Sequence, residues 1–417
     1  MSGTLALAAV AAGVCAAAIA EAWWYRRLLA RIPIRVHVNG TRGKSSVTRL
    51  IAAGLRSGGL RTCAKTTGTL ARMILADGRE LPIFRPDRAN VIEQKRIVST
   101  AVADGADALV IECMALQPLL QSVCELKLVR STHGVITNAR ADHLDVMGPT
   151  RLDVAAALSA TTPVRGTLYT AEDRTDSLSV MATACADRGS QLHAVGGQEV
   201  AGVSQQEMAA FPYLEHAENV ALALRVCEDL GVSRDAALAG MWSAEPDPGA
   251  MRVFAQTVRG HAWHFVNAFA ANDPESTAKI WQSAYEYFPE VTRRVMVMNC
   301  RVDRVDRSVT MAEACADWAP ADRYVIIGSG TDMFLRRLLR RGVPAEKILC
   351  LGNATAHEVV TSLLESMRDR EVQPTLLVGI GNVAGPGMEL ADGFAGEAGW
   401  NKFRAPVTTA ERSLELV

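Results

Sequence analysis

The residues with the plainest chemical meaning lie in the stretch VHVNGTRGKSSVTRLIAAG, residues 36–54. A glycine-rich loop stands between a strand-like run and a run with helical spacing, so backbone N–H groups and a helix N-terminus would face an anion. Lys44 is expected to neutralise the β- and γ-phosphates of a nucleotide, and the Ser45 hydroxyl to bind Mg²⁺. A plain turn before a surface helix is the alternative. The residues predicted to bind the phosphates are Gly40, Thr41, Arg42, Gly43, Lys44, Ser45 and Ser46.

Two other stretches place polar residues at the ends of predicted strands. Glu112 ends the short apolar run DALVIE, where a carboxylate suits a metal site, although an ordinary strand-end charge is the alternative. The stretch ITNARADHLDVMG, residues 136–148, follows the same logic and carries Asn138, Asp142 and His143. A lone histidine is more often a satisfied polar residue than a ligand, so the surrounding motif has to decide its role.

These residues need elements that bring several strand ends together. From residue 33 onwards, strand-like runs alternate with helical ones, which predicts a parallel sheet with helices on both faces. The proline- and glycine-rich stretch AEPDPGA, residues 244–250, is the predicted linker, and a second α/β run follows it. We therefore expect an α/β protein with a P-loop ATP-binding domain at 33–248 and a smaller Rossmann-like α/β domain at 249–417.

The N-terminal segment differs from the rest of the chain. Residues 3–20 carry no charge, and Trp23, Trp24 and Tyr25 precede Arg26 and two further arginines. Eighteen helical residues span about 27 Å, close to the thickness of a bilayer core, and aromatic residues followed by arginines suit an interface and a cytoplasmic flank. We expect residues 1–32 to be a single-pass membrane anchor and linker, with cytoplasmic catalytic domains. A buried alanine-rich helix is the alternative.

Composition excludes some functions. The formal net charge is −1, which gives no sign of a nucleic-acid partner. The nine cysteines are dispersed without a C-x-x-C pair, so reduced thiols are expected and no cysteine metal site.

The loop departs from the common P-loop pattern, which would require glycine at position 38, where the chain has valine. NGTRGKSS instead resembles the loop of the Mur ligase superfamily, which includes folylpolyglutamate synthases, and AKTTGT at 64–69 resembles the T-x-G-T segment of that superfamily. ITNARADHLDVMG closely resembles its T-N-x-x-x-D-H-L-D-x-x-G motif. The resemblance implies that His143 binds a second Mg²⁺ and that Asn138 and Asp142 shape the loop, with Asn138 at the ATP. It also implies that Lys44, Glu112 and His143 are the catalytic residues.

The same resemblance points to the nucleotide base in HAENVALALRVCEDLG, residues 216–231, which is similar to the H-N-x-x-N helix of the superfamily. His216 and Asn219 would then lie at the adenine. An amphipathic core helix capped by polar residues is the alternative for both.

Two departures from Mur ligases limit the resemblance. Many of these enzymes carry a carbamylated lysine soon after D-H-L-D, but no lysine lies between Lys127 and Lys279, and the matching place falls near Leu158. The second metal site must therefore be built otherwise. Only the apolar segment and a short linker precede the loop, which argues against a UDP-linked precursor as substrate.

Considered together, the motifs resemble the ATP-dependent ligase subunits of poly-γ-glutamate synthases. The resemblance also uses RPDRANVIEQ, IECMALQP, NAFAANDPEST and NCRVDRVDRS. It implies a ligase that polymerises glutamate through a γ-glutamyl phosphate, releases ADP and phosphate, and needs ATP and Mg²⁺. It also implies small membrane partner subunits, and a homo-oligomer is a further possibility.

The last two of those stretches supply the predicted substrate residues. Guanidinium groups suit the carboxylates of glutamate, although a solvated charge run is the alternative for the second stretch. The residues expected at the substrate are Asn267, Asn272, Asp273, Arg301, Asp303 and Arg304.

Two other functions stay open at this stage. One is a folylpolyglutamate-type ligase, against which the apolar N-terminus and the absence of the expected S-P-H segment count. The other is a membrane-tethered P-loop ATPase that drives transport or assembly without forming a bond, against which ITNARADHLD counts.

Overall fold

The computed structural model describes residues 2–67, 71–85, 89–211, 213, 215–246, 252–269, 273–288, 291, 293–367 and 374–396. The chain divides into two compact units, Met1–Pro248 and Gly249–Val417, each with its own sheet. We call them the first and the second unit.

The sheet of the first unit has eight strands: β1 (Ile34–Asn39), β2 (Thr62–Thr66), β3 (Arg72–Ile74), β4 (Glu80–Pro82), β5 (Ala108–Glu112), β6 (His133–Ile136), β7 (Thr167–Thr170) and β8 (Gln191–Ala194). Their order is β4-β3-β2-β5-β1-β6-β7-β8. Neighbours from β2 to β8 run parallel, whereas β3 and β4 form an antiparallel edge. The edge strands β3 and β4 were not predicted.

Eleven helices accompany this sheet in the described part of the first unit. They are α1 (Ser2–Ala30), α2 (Lys44–Ser57), α3 (Glu93–Ala103), α4 (Pro118–Val123), α5 (Leu144–Met147), α6 (Arg151–Leu158), α7 (Thr175–Arg188), α8 (Gly197–Ala201), α9 (Gln205–Ala209), α10 (Ala217–Asp229) and α11 (Arg234–Trp242). A π-helical segment, Cys124–Val129, continues α4.

The centre of the sheet explains where chemistry can occur. Strand β1 lies between β5 and β6, and Val38 pairs with Glu112 on one side while Asn39 pairs with Ile136 on the other. Because parallel strands end at the same edge, the segments that follow these three strands lie side by side. The apolar face of α2 is buried against α10 and α11, which fixes the helix that begins directly after the loop.

Helix α1 is different because most of its described side chains are exposed. Its segment Leu5–Ala30 is apolar and long enough to cross a membrane, and the most apolar 18-residue stretch of that segment has no buried residue. Its last two turns do join the first unit, since Tyr25 and Leu29 are buried and the Tyr25 hydroxyl donates to the Leu128 carbonyl at 2.6 Å.

The second unit has six strands: β9 (Arg252–Val258), β10 (His261–Ala268), β11 (Arg293–Cys300), β12 (Arg323–Gly328), β13 (Ile348–Gly352) and β14 (Thr375–Gly381). Their order is β13-β12-β11-β14-β10-β9, with only β9 antiparallel to its neighbour. The helices are α12 (Pro274–Tyr287), α13 (Val305–Cys315), α14 (Thr331–Arg340), α15 (Ala356–Ser366) and α16 (Pro386–Ala395). The predicted α/β class is confirmed.

Candidate active site

The loop between β1 and α2 has a backbone that glycine alone fits at its start. Gly40 has φ +134°, and a Cβ built there would lie 2.0 Å from the Thr137 Oγ1 atom. Gly43 has φ +79°, precedes α2 in the left-handed conformation, and lies against the side chain of Asn219. The predicted loop therefore wraps between the segment after β6 and the start of α10.

Asn138 holds this loop in place through both ends of its amide. Its Oδ1 accepts from the Thr41 hydroxyl at 2.6 Å and from the Arg42 amide at 3.2 Å, and its Nδ2 donates to the Arg42 carbonyl at 3.2 Å. The Thr137 hydroxyl also donates to the Arg42 carbonyl. Asn138 therefore positions the loop backbone, and the contribution of Thr137 was not predicted, although it stands inside the ITN motif.

The ammonium of Lys44 lies over the loop. Its Nζ donates to the carbonyls of Gly40 at 2.6 Å and Thr41 at 3.2 Å. Burial lowers the pKa of Lys44, while the charge of Glu112 acts in the opposite direction. A cation held at the mouth of a loop of backbone N–H groups is suited to neutralising phosphate oxygens.

Ser45 and Glu112 form the oxygen-rich part of the site. The Ser45 hydroxyl donates to Glu112 Oε2 at 2.9 Å, and the backbone N–H of Thr67 donates to the same oxygen at 2.7 Å. Glu112 is buried, with only 2% of its surface exposed. A hydroxyl and a carboxylate that already touch are hard oxygen donors, so this pair fits a divalent cation completed by phosphate and water oxygens.

Within the described residues, no group of three or more His, Cys, Asp or Glu side chains is arranged to hold a metal on its own. His143 has a left-handed backbone, φ 49°, and its Nε2 lies 3.9 Å from the carboxylate of Asp142. Asp142 in turn lies 3.6 Å from the Arg42 guanidinium. The structure thus brings His143 and Asp142 to the loop, while the metal role of His143 stays a prediction.

A cavity of about 220 Å³ joins these groups. Lys44 and His143 both line it, and so does Leu158, the position nearest the lysine of Mur ligases. Leu158 is buried and apolar, so it offers no ligand to a second metal. The cavity is lined further by Asn39, Gly40, Thr41, Thr67, Cys113, Met114, Ala115, Leu116, Asp142 and Met147.

The predicted base site lies at the start of α10. Asn219 is buried, and its Nδ2 donates to Glu215 Oε1 at 2.8 Å, whereas His216 is exposed as the residue before the helix. Burial is the main cause that raises the pKa of Glu215. Asn219 is therefore next to the phosphate loop, and contact of either residue with adenine stays a prediction.

A buried ion pair near Glu112 was not predicted. Lys65 in β2 is fully buried, and its Nζ lies 3.1 Å from Glu93 in α3, which also binds Arg85 at 2.7 Å. Burial is the main cause that lowers the pKa of Lys65.

In the second unit, the predicted substrate residues occupy separate places. Asn267 lies in β10, and Asp273 accepts from the Ser276 amide at 2.9 Å as the N-cap of α12. Arg301 follows β11 and binds Asp303 through two hydrogen bonds of 3.0 and 2.7 Å. Arg304 ends the short turn that precedes α13. Asn272 lies outside the described residues, and the substrate roles of all six stay predictions.

Comparison with known proteins places this fold in a class. Residues 38–160 match the Mur ligase middle domain. A Mycobacterium tuberculosis folylpolyglutamate synthase complexed with ADP is similar in structure, with a TM-score of 0.64 over 87% of this chain and 92% of that one, at 18% identity. The bifunctional folylpolyglutamate/dihydrofolate synthase of Yersinia pestis, complexed with AMPPNP and a Mn ion, gives 0.65 over 89% and 91%, at 16% identity. The fold is that of Mur-type ligases.

Sequence relatives narrow the class. Residues 253–397 match the poly-gamma-glutamate synthase CapB C-terminal domain. The capsule biosynthesis protein CapB of Bacillus anthracis is 35% identical over 88% of this chain and 78% of its own length. The PGA synthase CapB of Bacillus subtilis (strain 168) is 36% identical over 87% of this chain and 90% of its own. The chain belongs to the CapB family, which confirms the predicted resemblance and the predicted class of ATP-dependent amide ligase.

Proposed function

We propose that this chain uses ATP to lengthen poly-γ-glutamate by one glutamate at a time. The observation that carries the proposal is the cluster of Lys44, Ser45 and Glu112 at the end of β1 and β5, in a chain of the CapB family. The relatives named PGA synthase and capsule biosynthesis protein support the choice of polymer.

The first step is phosphoryl transfer. An oxygen of the terminal γ-carboxylate attacks the γ-phosphorus of ATP, and the bond to the β-phosphate oxygen breaks, so that ADP leaves and an acyl phosphate forms. Lys44, the loop amides and the N-terminus of α2 would bind the phosphates and stabilise the negative charge that develops on them. No nucleophilic side chain is needed, because the substrate carboxylate attacks.

A divalent cation is part of this proposal, and we propose Mg²⁺. Ser45 and Glu112 would hold it, since they are the oxygen donors that already meet beside the loop. When bound, the cation would supply charge neutralisation for phosphate oxygens. His143 and Asp142 are the residues that we propose for a second cation, with Leu158 contributing nothing.

The second step forms the amide bond. The α-amine nitrogen of the incoming glutamate attacks the acyl carbon, the carbon–oxygen bond to phosphate breaks, and the amine loses a proton. We assign Arg301 and Arg304 to the carboxylates of the glutamate substrates, because a guanidinium can bind a carboxylate through two hydrogen bonds. Asn267, Asn272 and Asp273 are further contacts in the proposal. The guanidinium of Arg301 donates to the Asp303 carboxylate in the structure, so Asp303 would have to share this guanidinium with the substrate.

The location follows from α1. We assign α1 as a single membrane span, with Trp23 and Trp24 at the interface and both units in the cytoplasm, because arginines follow the apolar run. Small membrane subunits would then be the partners for a polymer that leaves the cell, and a homo-oligomer is compatible with the same arrangement.

An acyl-phosphate trap tests the reaction. Membranes containing the full chain would be incubated with ATP, Mg²⁺, glutamate or a short γ-linked oligomer, and hydroxylamine. We expect a glutamyl hydroxamate that requires Lys44 and does not depend on folate. The preferred stereoisomer of glutamate would identify the donor.

Two variants make the result specific. Lys44→Ala should abolish hydroxamate formation, whereas Lys347→Ala, a charge-matched change in the second unit, should not change it. Steady ATP hydrolysis without hydroxamate, with the partner subunits present, would refute the ligase and favour an ATPase that drives transport. Hydroxamate formation only with a folate would favour a folylpolyglutamate-type enzyme.

A further inference from the structure

A second cavity in the first unit lies away from the loop, where α1 joins the sheet. Its volume is about 630 Å³. The last turns of α1, the π-helical segment and the turns before β6 and β7 form its walls. The lining residues include five cations, namely Arg26, Arg35, Lys127, Arg130 and Arg165.

The positive charge in this cavity is not balanced. Glu125 is the only acid among the lining residues, it is 1% exposed, and its carboxylate binds His37 at 2.8 Å and the Ser131 amide and hydroxyl at 2.8 and 2.9 Å. The guanidinium of Arg35 already has hydrogen-bond partners within the chain. Its Nε donates to the Arg130 carbonyl at 2.9 Å, and its NH1 donates to the Leu29 carbonyl at 3.3 Å.

The other four cations have no such partner. Among the described residues, the side chains of Arg26, Lys127, Arg130 and Arg165 form no hydrogen bond or ion pair. Burial is the main cause that lowers the pKa of Arg35, and the charge of Arg130 lowers it further although Glu125 opposes both. These four exposed cations, beside the half-buried Arg35, constitute a site for an anion with more than one oxygen.

The surroundings of the cations distinguish between kinds of anion. Leu126 and Val164 also line the cavity, and they are 38% and 50% exposed. Arg26 follows the exposed residues Trp23 and Trp24 within one helical turn, at the end of the apolar helix. The cavity therefore has both cationic and apolar lining residues, and it adjoins the end of the helix that is long enough to cross a membrane.

We propose that this cavity binds the phosphate headgroup of an anionic phospholipid, with its glycerol and first methylenes against Leu126 and Val164. Basic pockets beside membrane helices on the cytoplasmic side recognise such headgroups. The inference depends on the membrane placement of α1, which is part of the proposed function, but it does not depend on the ligase reaction.

Native mass spectrometry of the full chain in a neutral detergent tests this site. We expect one phosphatidylglycerol to be retained at concentrations about tenfold below those needed for phosphatidylcholine. A triple variant, Lys127→Gln with Arg130→Gln and Arg165→Gln, should lose that preference. A charge-matched triple variant in α14 and just after it, Arg336→Gln with Arg340→Gln and Arg341→Gln, should keep it.

The conservative triple variant Lys127→Arg, Arg130→Lys and Arg165→Lys should bind as the wild type does, which separates loss of charge from loss of folding. Unchanged preference in the glutamine triple variant would overturn the proposal. So would displacement of the lipid by inorganic phosphate or by γ-linked oligoglutamate at equal concentration, since each would assign the cavity to a soluble anion. The hydroxamate assay on the same samples reports separately on the ligase reaction.

Discussion

Gly40 has the strictest steric requirement in the phosphate loop. A methyl group there would meet the Thr137 hydroxyl at 2.0 Å, on a backbone with φ +134°. We expect Gly40→Ala to weaken ATP binding by roughly 100-fold, because the loop must move off Thr137 or the segment after β6 must shift. Calorimetric titration of the full chain with ATP measures the change.

Gly59→Ala is the matched control for this substitution. Gly59 also has a positive φ, +88°, but a Cβ there would have nothing within 4 Å. It should therefore cost stability only, on the order of 1 kcal/mol, and leave the affinity for ATP unchanged. Equal losses of affinity in both variants would show that strain, and not the contact with Thr137, sets the requirement.

Glu112 permits a test of the cation site. Glu112→Gln keeps the size of the side chain and an acceptor for Ser45 and Thr67, but it removes the negative charge. We expect the concentration of Mg²⁺ at half-maximal hydroxamate formation to rise by at least about tenfold. Glu313→Gln, an exposed change in the second unit, should have no effect. An unchanged Mg²⁺ requirement in Glu112→Gln would exclude this carboxylate as a ligand.

Some site residues are placed by a short sequence motif, and others are placed by the packing of distant elements. The placement of Lys44, Ser45 and the glycines could be predicted, because it depends on the spacing within one loop. The buried pair of Lys65 and Glu93 could not, since it depends on the packing of β2 against α3, which no short motif encodes. Sequence alone also could not show whether the Arg301 guanidinium binds Asp303, as it does in the structure, or is available to a substrate.

A buried ion pair joins β1 to the π-helical segment just below the loop. His37 Nδ1 lies 2.8 Å from Glu125, and both side chains are at most 1% exposed. Burial lowers the pKa of His37, but the contacts with Cys113 and Glu125 outweigh burial and raise the pKa to about 9. Because the folded pKa lies above the unfolded one, this stability is complete below about pH 6.5 and is lost as the pH rises through 9.

We expect the free energy of unfolding of the full chain to fall by on the order of 3 kcal/mol between pH 6.5 and 9.5 through this pair. Denaturant titration at several pH values measures it. His37→Gln should be less stable at pH 6.5, by roughly 3–5 kcal/mol, because Glu125 keeps a buried charge without its partner. The variant should also show a flatter pH dependence, and a parallel decline in both proteins would contradict the assignment.

The elements were predictable to the degree that each carries its own pattern. β1, β5 and the four strands β10, β11, β12 and β14 are apolar runs with strong burial, which sequence alone indicates. The strands β3, β4, β9 and β13 are short, polar or at a sheet edge, and they exist because a neighbouring strand offers hydrogen bonds. Such strands have little periodicity of their own.

The two units fold around their own apolar cores, whereas most of α1 lies outside those cores. Each unit has its own apolar clusters, whereas α1 before Tyr25 contributes little to either. The apolar part of α1 should therefore affect location and not folding. Its last two turns should affect folding, because Tyr25, Leu29 and Ile32 are buried in the first unit.

Two deletions separate these roles. Removal of residues 2–20 keeps Glu21, which binds Lys95, and keeps Tyr25 with its bond to Leu128. We expect this variant to leave the membrane fraction and to bind ATP with an affinity within about threefold of that of the full chain. The full chain itself should stay in the membrane pellet during an alkaline carbonate wash.

Removal of residues 2–32 exposes the groove that Leu29 and Ile32 fill, at a cost of roughly 1.5–3 kcal/mol for each side chain. The melting temperature of this second variant should therefore fall by several degrees. If the variant that lacks residues 2–20 stayed in the carbonate-washed pellet, α1 could not be the sole membrane anchor. If that variant lost ATP binding, the exposed part of α1 would have to stabilise the phosphate loop, through a contact that the packing of Tyr25 does not explain.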